Sequence, residues 1–174
     1  METNMKNLSI EIGYKLGGIL ALSTILVYAI DFKLFLNPMF GGFFFIIVVC
    51  AGIYSTIQSR KINNGASFKQ AFTSYFIAIA VGYLLGNLTT VLVFVIIDPE
   101  AAKVLDEEML IMTKEMLEGF GLSSDMIALS MDEASKKSNF SLSSIAMQYV
   151  GNLVFFSLIG LLTSLICKRD KTEA

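Results

Sequence analysis

Histidine is absent from this chain, and cysteine occurs only twice, at Cys50 and Cys167. Without histidine the commonest metal ligand and the commonest general base at neutral pH are both missing, so zinc, haem and His-dependent catalysis are disfavoured. The two cysteines form no CxxC and lie at different expected depths, which indicates neither a disulfide framework nor a metal site. They read as small buried apolar residues. Charge is the third scarcity. No Asp, Glu, Lys or Arg occurs from Leu16 to Ile30, from Leu34 to Ser59, from Gln70 to Ile97 or from Asn139 to Cys167.

A helix needs roughly 20 mostly apolar residues to cross a bilayer core of about 30 Å, and a shorter run suffices when its flanks snorkel. The four uncharged stretches therefore predict an all-α integral membrane protein with spans at about 12–31, 38–58, 70–97 and 140–167. The hydrophobic share of 55% and the mean hydropathy of +0.68 agree with membrane burial. Soluble domains sit nearer ~45–50% apolar. The connector between the third and fourth spans is too short for a separate soluble domain, so residues 1–174 are expected to form a single membrane domain. Lys6 and Lys15 precede an apolar run ending in Val27-Tyr28-Ala29, a tolerable cleavage pattern, but Glu2 and Glu11 are foreign to a signal peptide, and the first span is expected to be retained.

Orientation follows from Lys and Arg in short loops. Arg60, Lys61 and Lys69 surround the second turn, and Lys168, Arg169 and Lys171 mark the tail, so both termini are expected in the cytoplasm. The connector from Asp98 to Asn139 holds ten acids and four lysines, a net of −6, and belongs outside. Its sequence predicts a helical hairpin over about 98–138: Asp98 as N-cap with Pro99 at the first helical position, a stop at Gly119 and Gly121, then Ser123 as a second N-cap with Leu122 and Ile127 placed as a hydrophobic staple. The third span opens on a capping box, Ser67 with Gln70, after a turn at Gly65.

Leu22-Ser-Thr-Ile-Leu-Val-Tyr-Ala-Ile30 and Leu88-Thr-Thr-Val-Leu-Val-Phe-Val-Ile96 agree at five of nine positions. That is a hint of a duplicated helical hairpin with the acidic connector inserted in the second copy. Gly13-xxx-Gly17 with Ala21, and Gly82-xxx-Gly86 with Ala78 and Thr90, let helix backbones approach closely.

Polar groups inside the spans carry the most weight, because hydrocarbon offers them no partner. Asn87 and Asn152 fall at nearly the same depth. Tyr83 and Thr90 share the Asn87 face, and Gln148 sits one turn before Asn152. The five form a candidate polar seam between spans three and four. It reads first as interhelical hydrogen bonding, and more sharply as a path or pocket for a small polar solute. No Asp, Glu, Lys, Arg or His lies in the core of a span, which argues against proton coupling.

In the connector, Leu105, Met109, Met112, Met116 and Phe120 recur every three or four residues opposite Asp106, Glu107, Glu115 and Glu118. Such a stripe covers a membrane surface or a partner. Its thioethers could bind Cu(I), but methionines at helical spacing are ordinarily packing. The acids lack the spacing of a calcium loop.

The chain resembles a family of small bacterial membrane proteins classed as domain of unknown function 4199. The resemblance rests on the second span ending in Arg60-Lys61, on Asn64-Gly-Ala-Ser-Phe-Lys-Gln-Ala-Phe72, on Asp98-Pro99-Glu100 and on Glu118-Gly-Phe-Gly-Leu-Ser-Ser-Asp-Met-Ile127. It covers almost the whole chain and implies the same topology. No known activity and no functional residue come with it.

The expectation is therefore a non-enzymatic multi-pass protein of the bacterial cytoplasmic membrane, acting through protein or membrane-surface interaction. The alternative is an oligomeric small-solute channel or carrier that uses the polar seam. Membrane lipids, further copies of the chain or another membrane protein are the expected partners; no nucleic acid, metal or cofactor is expected.

Overall fold

The structure is a computed structural model that describes residues 2–63 and 65–167. The basic tail with Lys168, Arg169 and Lys171 lies outside the described residues, as does Asn64. Six α-helices occur among those residues: α1 (Glu2–Asp31), α2 (Pro38–Ile62), α3 (Phe68–Val91), α4 (Pro99–Gly119), α5 (Ser124–Ser135) and α6 (Leu142–Cys167). Four of them, α1, α2, α3 with its extension, and α6, are long and apolar enough to cross a membrane.

Local chemistry sets most of the boundaries. The Asp31 carboxylate accepts the Lys33 N–H at 2.9 Å and opens a 3-10 turn over Phe32–Leu36. Asn37 then accepts the Met39 N–H at 2.9 Å, with Pro38 supplying the fixed φ of a first helical residue. The Ser67 and Gln70 capping box is complete, its two reciprocal bonds measuring 3.3 and 3.1 Å. The turn before it uses Gly65 at φ +132°, a conformation closed to residues with a Cβ. Past Val91 the third helix widens into a π-turn over Leu92–Ile97, closed where the Asp98 N–H reaches the Val93 carbonyl at 2.8 Å. Gly121, at φ +72°, ends the turn after α4. Ser123 precedes α5 in extended backbone, yet its side chain makes no capping bond.

α3 and α2 occupy the middle of the bundle, each touching the other three long helices, with α1 and α6 on the flanks. α1 and α3 run parallel in a constant register: Ser9 meets Ser74, Leu16 meets Gly82, Leu20 meets Gly86 and Tyr28 meets Phe94. The two similar nine-residue segments, which begin at Leu22 and Leu88, therefore lie side by side at one depth. The contact is reciprocal. Gly13 and Gly17 receive Val81 and Leu85, while Gly82 and Gly86 receive Leu16 and Leu20. A Cβ built on Gly17 or Gly82 would fall 2.5 Å from the facing leucine, so glycine is what permits this approach and its dispersion gain in lipid.

Two layers close the end of the bundle where α1 begins and α6 finishes. Ser9, Ser55 and Ser74, one from each of α1, α2 and α3, are fully buried and joined at 2.6 and 3.0 Å through Ser74 Oγ. Above them the Tyr75 ring fills the gap between Gly52 of α2 and Gly160 of α6, where a Cβ on either glycine would strike it. Leu16, Val48, Ile79 and Phe156 complete that layer.

Candidate functional site: a cleft beneath the helical hairpin

At the opposite end the packing changes character. The first turns of α4 dock on the π-turn: Ala101, Ala102 and Leu105 are buried against Val93 and Phe94, with Tyr28, Phe32, Phe35 and Phe140 around them. Polar bonds fasten both roots of the hairpin. Asp98 Oδ1 accepts the Ala101 N–H at 2.9 Å, and its Oδ2 accepts the Tyr28 hydroxyl at 2.9 Å. These two bonds, the backbone one first, hold the Asp98 carboxyl below its usual pKa. Lys33 Nζ meets Glu108 at 2.7 Å. On the α6 side Asp106 Oδ1 accepts from the Asn139 backbone and side chain at 2.9 and 3.1 Å, and Gln148 Nε2 donates to the Asn139 carbonyl at 2.9 Å.

Beyond Leu105 the helix leaves the bundle. Exposure climbs from 0% at Leu105 to 43% at Met112, 54% at Met116 and 73% at Phe120. Between the departing helix and the bundle lies a cavity of about 510 Å³. Met109, Met112, Thr113 and Met116 form its hairpin wall; Phe35, Leu36, Thr90, Phe94 and Phe140 form its bundle wall. Beneath it a crevice of about 200 Å³ descends between the long helices, lined by Leu20, Thr24, Phe35, Phe44, Tyr83, Gly86, Asn87, Thr90 and Asn152. Phe35 and Thr90 line both spaces, so the two are neighbouring chambers.

The chemistry differs between the chambers. The upper is walled by thioethers, aromatic rings and one aliphatic side chain, with two threonines. The lower has a polar floor. There Asn87 Nδ2 donates one proton to the Tyr83 carbonyl at 2.8 Å, leaving its second N–H and its Oδ1 available. Thr24 and Thr90 donate to Leu20 and Gly86 on their own helices and keep lone pairs as acceptors. Among the described residues the Asn152 side chain and the Tyr83 hydroxyl make no hydrogen bond. Among the described residues no charged side chain lines either chamber. Among the described residues no group of three or more His, Cys, Asp or Glu is arranged to hold a metal.

Four residues of the expected seam, Tyr83, Asn87, Thr90 and Asn152, line this one crevice. Gln148 does not; it stands at the exposed root of α6, satisfying Asn139. Among the described residues no hydrogen bond joins Asn87 to Asn152. Interhelical polar contacts lie elsewhere, in the serine node and between the Tyr149 hydroxyl and the Ala80 carbonyl at 3.1 Å. Of the methionine stripe, Leu105 is consumed in docking, Met109, Met112 and Met116 face the cleft, and Phe120 lies beyond it. Sequence reasoning missed Thr24, Phe35, Phe44, Phe94 and Phe140. Only the crowding of aromatics around the first turn hinted at any of them.

Four long apolar helices with a helical hairpin between the third and fourth define a multi-pass membrane protein. The chain belongs to the family described as Protein of unknown function (DUF4199), whose model matches residues 11–169. Neither a curated protein nor a solved structure matches it.

Proposed function

We propose that this chain is a non-enzymatic protein of the bacterial cytoplasmic membrane that works by binding, holding a partner molecule in the cleft beneath its hairpin. The observation that carries the reading is the pair of adjoining chambers that share Phe35 and Thr90 as lining, with Met109, Met112 and Met116 turned toward the upper one. Flexible thioethers suit a surface that adapts to what it holds, and a π-turn beside the cleft is a common feature of functional sites. Both termini are assigned to the cytoplasm and the hairpin to the outer face, on the lysines and arginines of the second turn and tail against the connector's net −6. Native purification in mild detergent, followed by mass spectrometry of intact complexes, tests the binding role. The wild type should carry a bound molecule or subunit that Thr90→Trp, which fills the junction of the chambers, loses. The same species from both, or a bare chain from the wild type, contradicts it.

The second reading is an oligomeric channel or carrier for a small solute, favoured by the polar floor at Asn87 and Asn152. A route through one chain would have to cross the Tyr75 layer, so this reading requires that layer to open or further copies to complete the path. Solute flux into proteoliposomes that Thr90→Trp abolishes would support it.

A further inference from the structure

We infer that the occupant of the cleft is an uncharged amphiphile: one apolar body seated under the methionines, ending in a hydroxyl, carbonyl or amide that bonds the floor of the crevice. The inference rests on the proposed reading of the cleft as a binding site and adds the class of ligand. Three observations lead to it.

The first is charge. Among the described residues neither chamber is lined by a charged side chain, and four charged groups near the hairpin roots are already bonded, Lys33 to Glu108, Asp98 to Ala101 and Tyr28, and Asp106 to Asn139. A carboxylate, phosphate or ammonium in the crevice would lose its hydration and find no counter-charge, a cost far above that of a neutral group. The second is hydrogen-bonding capacity. Asn152, the Tyr83 hydroxyl and the free edge of Asn87 offer both donors and acceptors at the bottom of an otherwise apolar space. Polar groups surrounded by hydrocarbon gain most from a ligand that supplies the missing partner. The third is size and polarity order. A main chamber of about 510 Å³ falls within the range of sites that enclose one drug-sized molecule. Its wall of Met109, Met112, Met116 and Phe140 is suited to a flexible chain or fused ring. The ligand enters polar end first, because the polar floor lies deeper than the apolar mouth.

Three photoreactive probes with the same dodecyl chain, ending in a hydroxyl, a carboxylate or a trimethylammonium, are added to the full chain in proteoliposomes at neutral pH, and labelled peptides are mapped. The alcohol should label residues 109–116 and 140, be displaced by unlabelled dodecanol, and exceed the two charged probes there by at least about tenfold. Tyr83→Phe, which keeps the ring, and Asn152→Leu should each reduce its labelling by about threefold to tenfold. Equal labelling of the cleft by a charged probe overturns the ligand class and leaves the cleft standing as a binding site. Labelling spread along lipid-facing α1 and α6 with no excess in the cleft overturns both readings. Unchanged labelling in both variants overturns the placement of the polar end on the floor.

Discussion

Near Ser74 three buried hydroxyls from three helices close on one another within 3.0 Å; near Asn87 and Asn152 two amides face a crevice of about 200 Å³ and share no hydrogen bond. Both sets are polar groups inside apolar helices, and hydrocarbon penalises both alike when unpaired. Side-chain size and the neighbouring glycines account for the different outcomes. Serine is short enough to be satisfied where backbones touch. Tyr75 above it is seated in gaps that only Gly52 and Gly160 leave. Farther along, Tyr83, Asn87 and Thr90 of α3 and Asn152 of α6 line an open crevice instead. One end of the bundle is built for cohesion and the other for access.

The strongest way to break that contrast is to overfill the closed layer. Gly52→Leu forces a side chain into the Tyr75 ring, and overpacking of this kind costs about 1–3 kcal/mol or more; unfolding in detergent should show a large loss of stability or no folded protein. Gly151→Leu, where nothing lies within 4 Å of an added Cβ, should fold normally. Ser74→Ala comes next. It removes the hub of the serine node and should cost about 0.6–1.7 kcal/mol, the range measured for polar contacts between membrane helices. Asn152→Leu should change stability by no more than about 0.5 kcal/mol, because among the described residues its amide bonds nothing; a loss as large as that of Ser74→Ala would make Asn152 a structural contact after all. The smallest effect is local. Asp98 is held below its ordinary pKa by Ala101 and Tyr28, so its contribution to hairpin docking is complete above the unfolded carboxylate value of about 3.9 and fades as pH falls through the lower folded value. Amide exchange at Ala101 should accelerate only in that acid range; acceleration already at pH 6 would contradict the assignment.

Features set by neighbouring residues were legible in the sequence. The Ser67 and Gln70 box, Asp98 ahead of proline, and the uncharged runs that become α1, α2, α3 and α6 each express a local rule. Asn87 and Asn152 could be matched in depth because helical rise is fixed. What depended on tertiary placement was not legible. Phe35 reaches the cleft only because Asp31 starts a 3-10 turn that folds back toward α3, and Phe140 only because the α6 root is tied to Asp106. Gln148 shares its spacing with the seam, yet a nearby unpaired carbonyl at Asn139 takes it. The stripe from Leu105 to Phe120 is uniform in periodicity, and only the angle at which α4 leaves the π-turn divides it into docked, cleft-facing and exposed parts.

The most direct test of an accessible end and a closed end is thiol labelling. In a chain carrying Cys50→Ser and Cys167→Ser, single cysteines at Asn152, Met112 and Ile79 would be exposed to a small neutral reagent in proteoliposomes. Met112→Cys and Asn152→Cys should react and Ile79→Cys should not. Labelling of Ile79→Cys as fast as Asn152→Cys would mean that the Tyr75 layer is open, and the bundle would then be a path with no closed end.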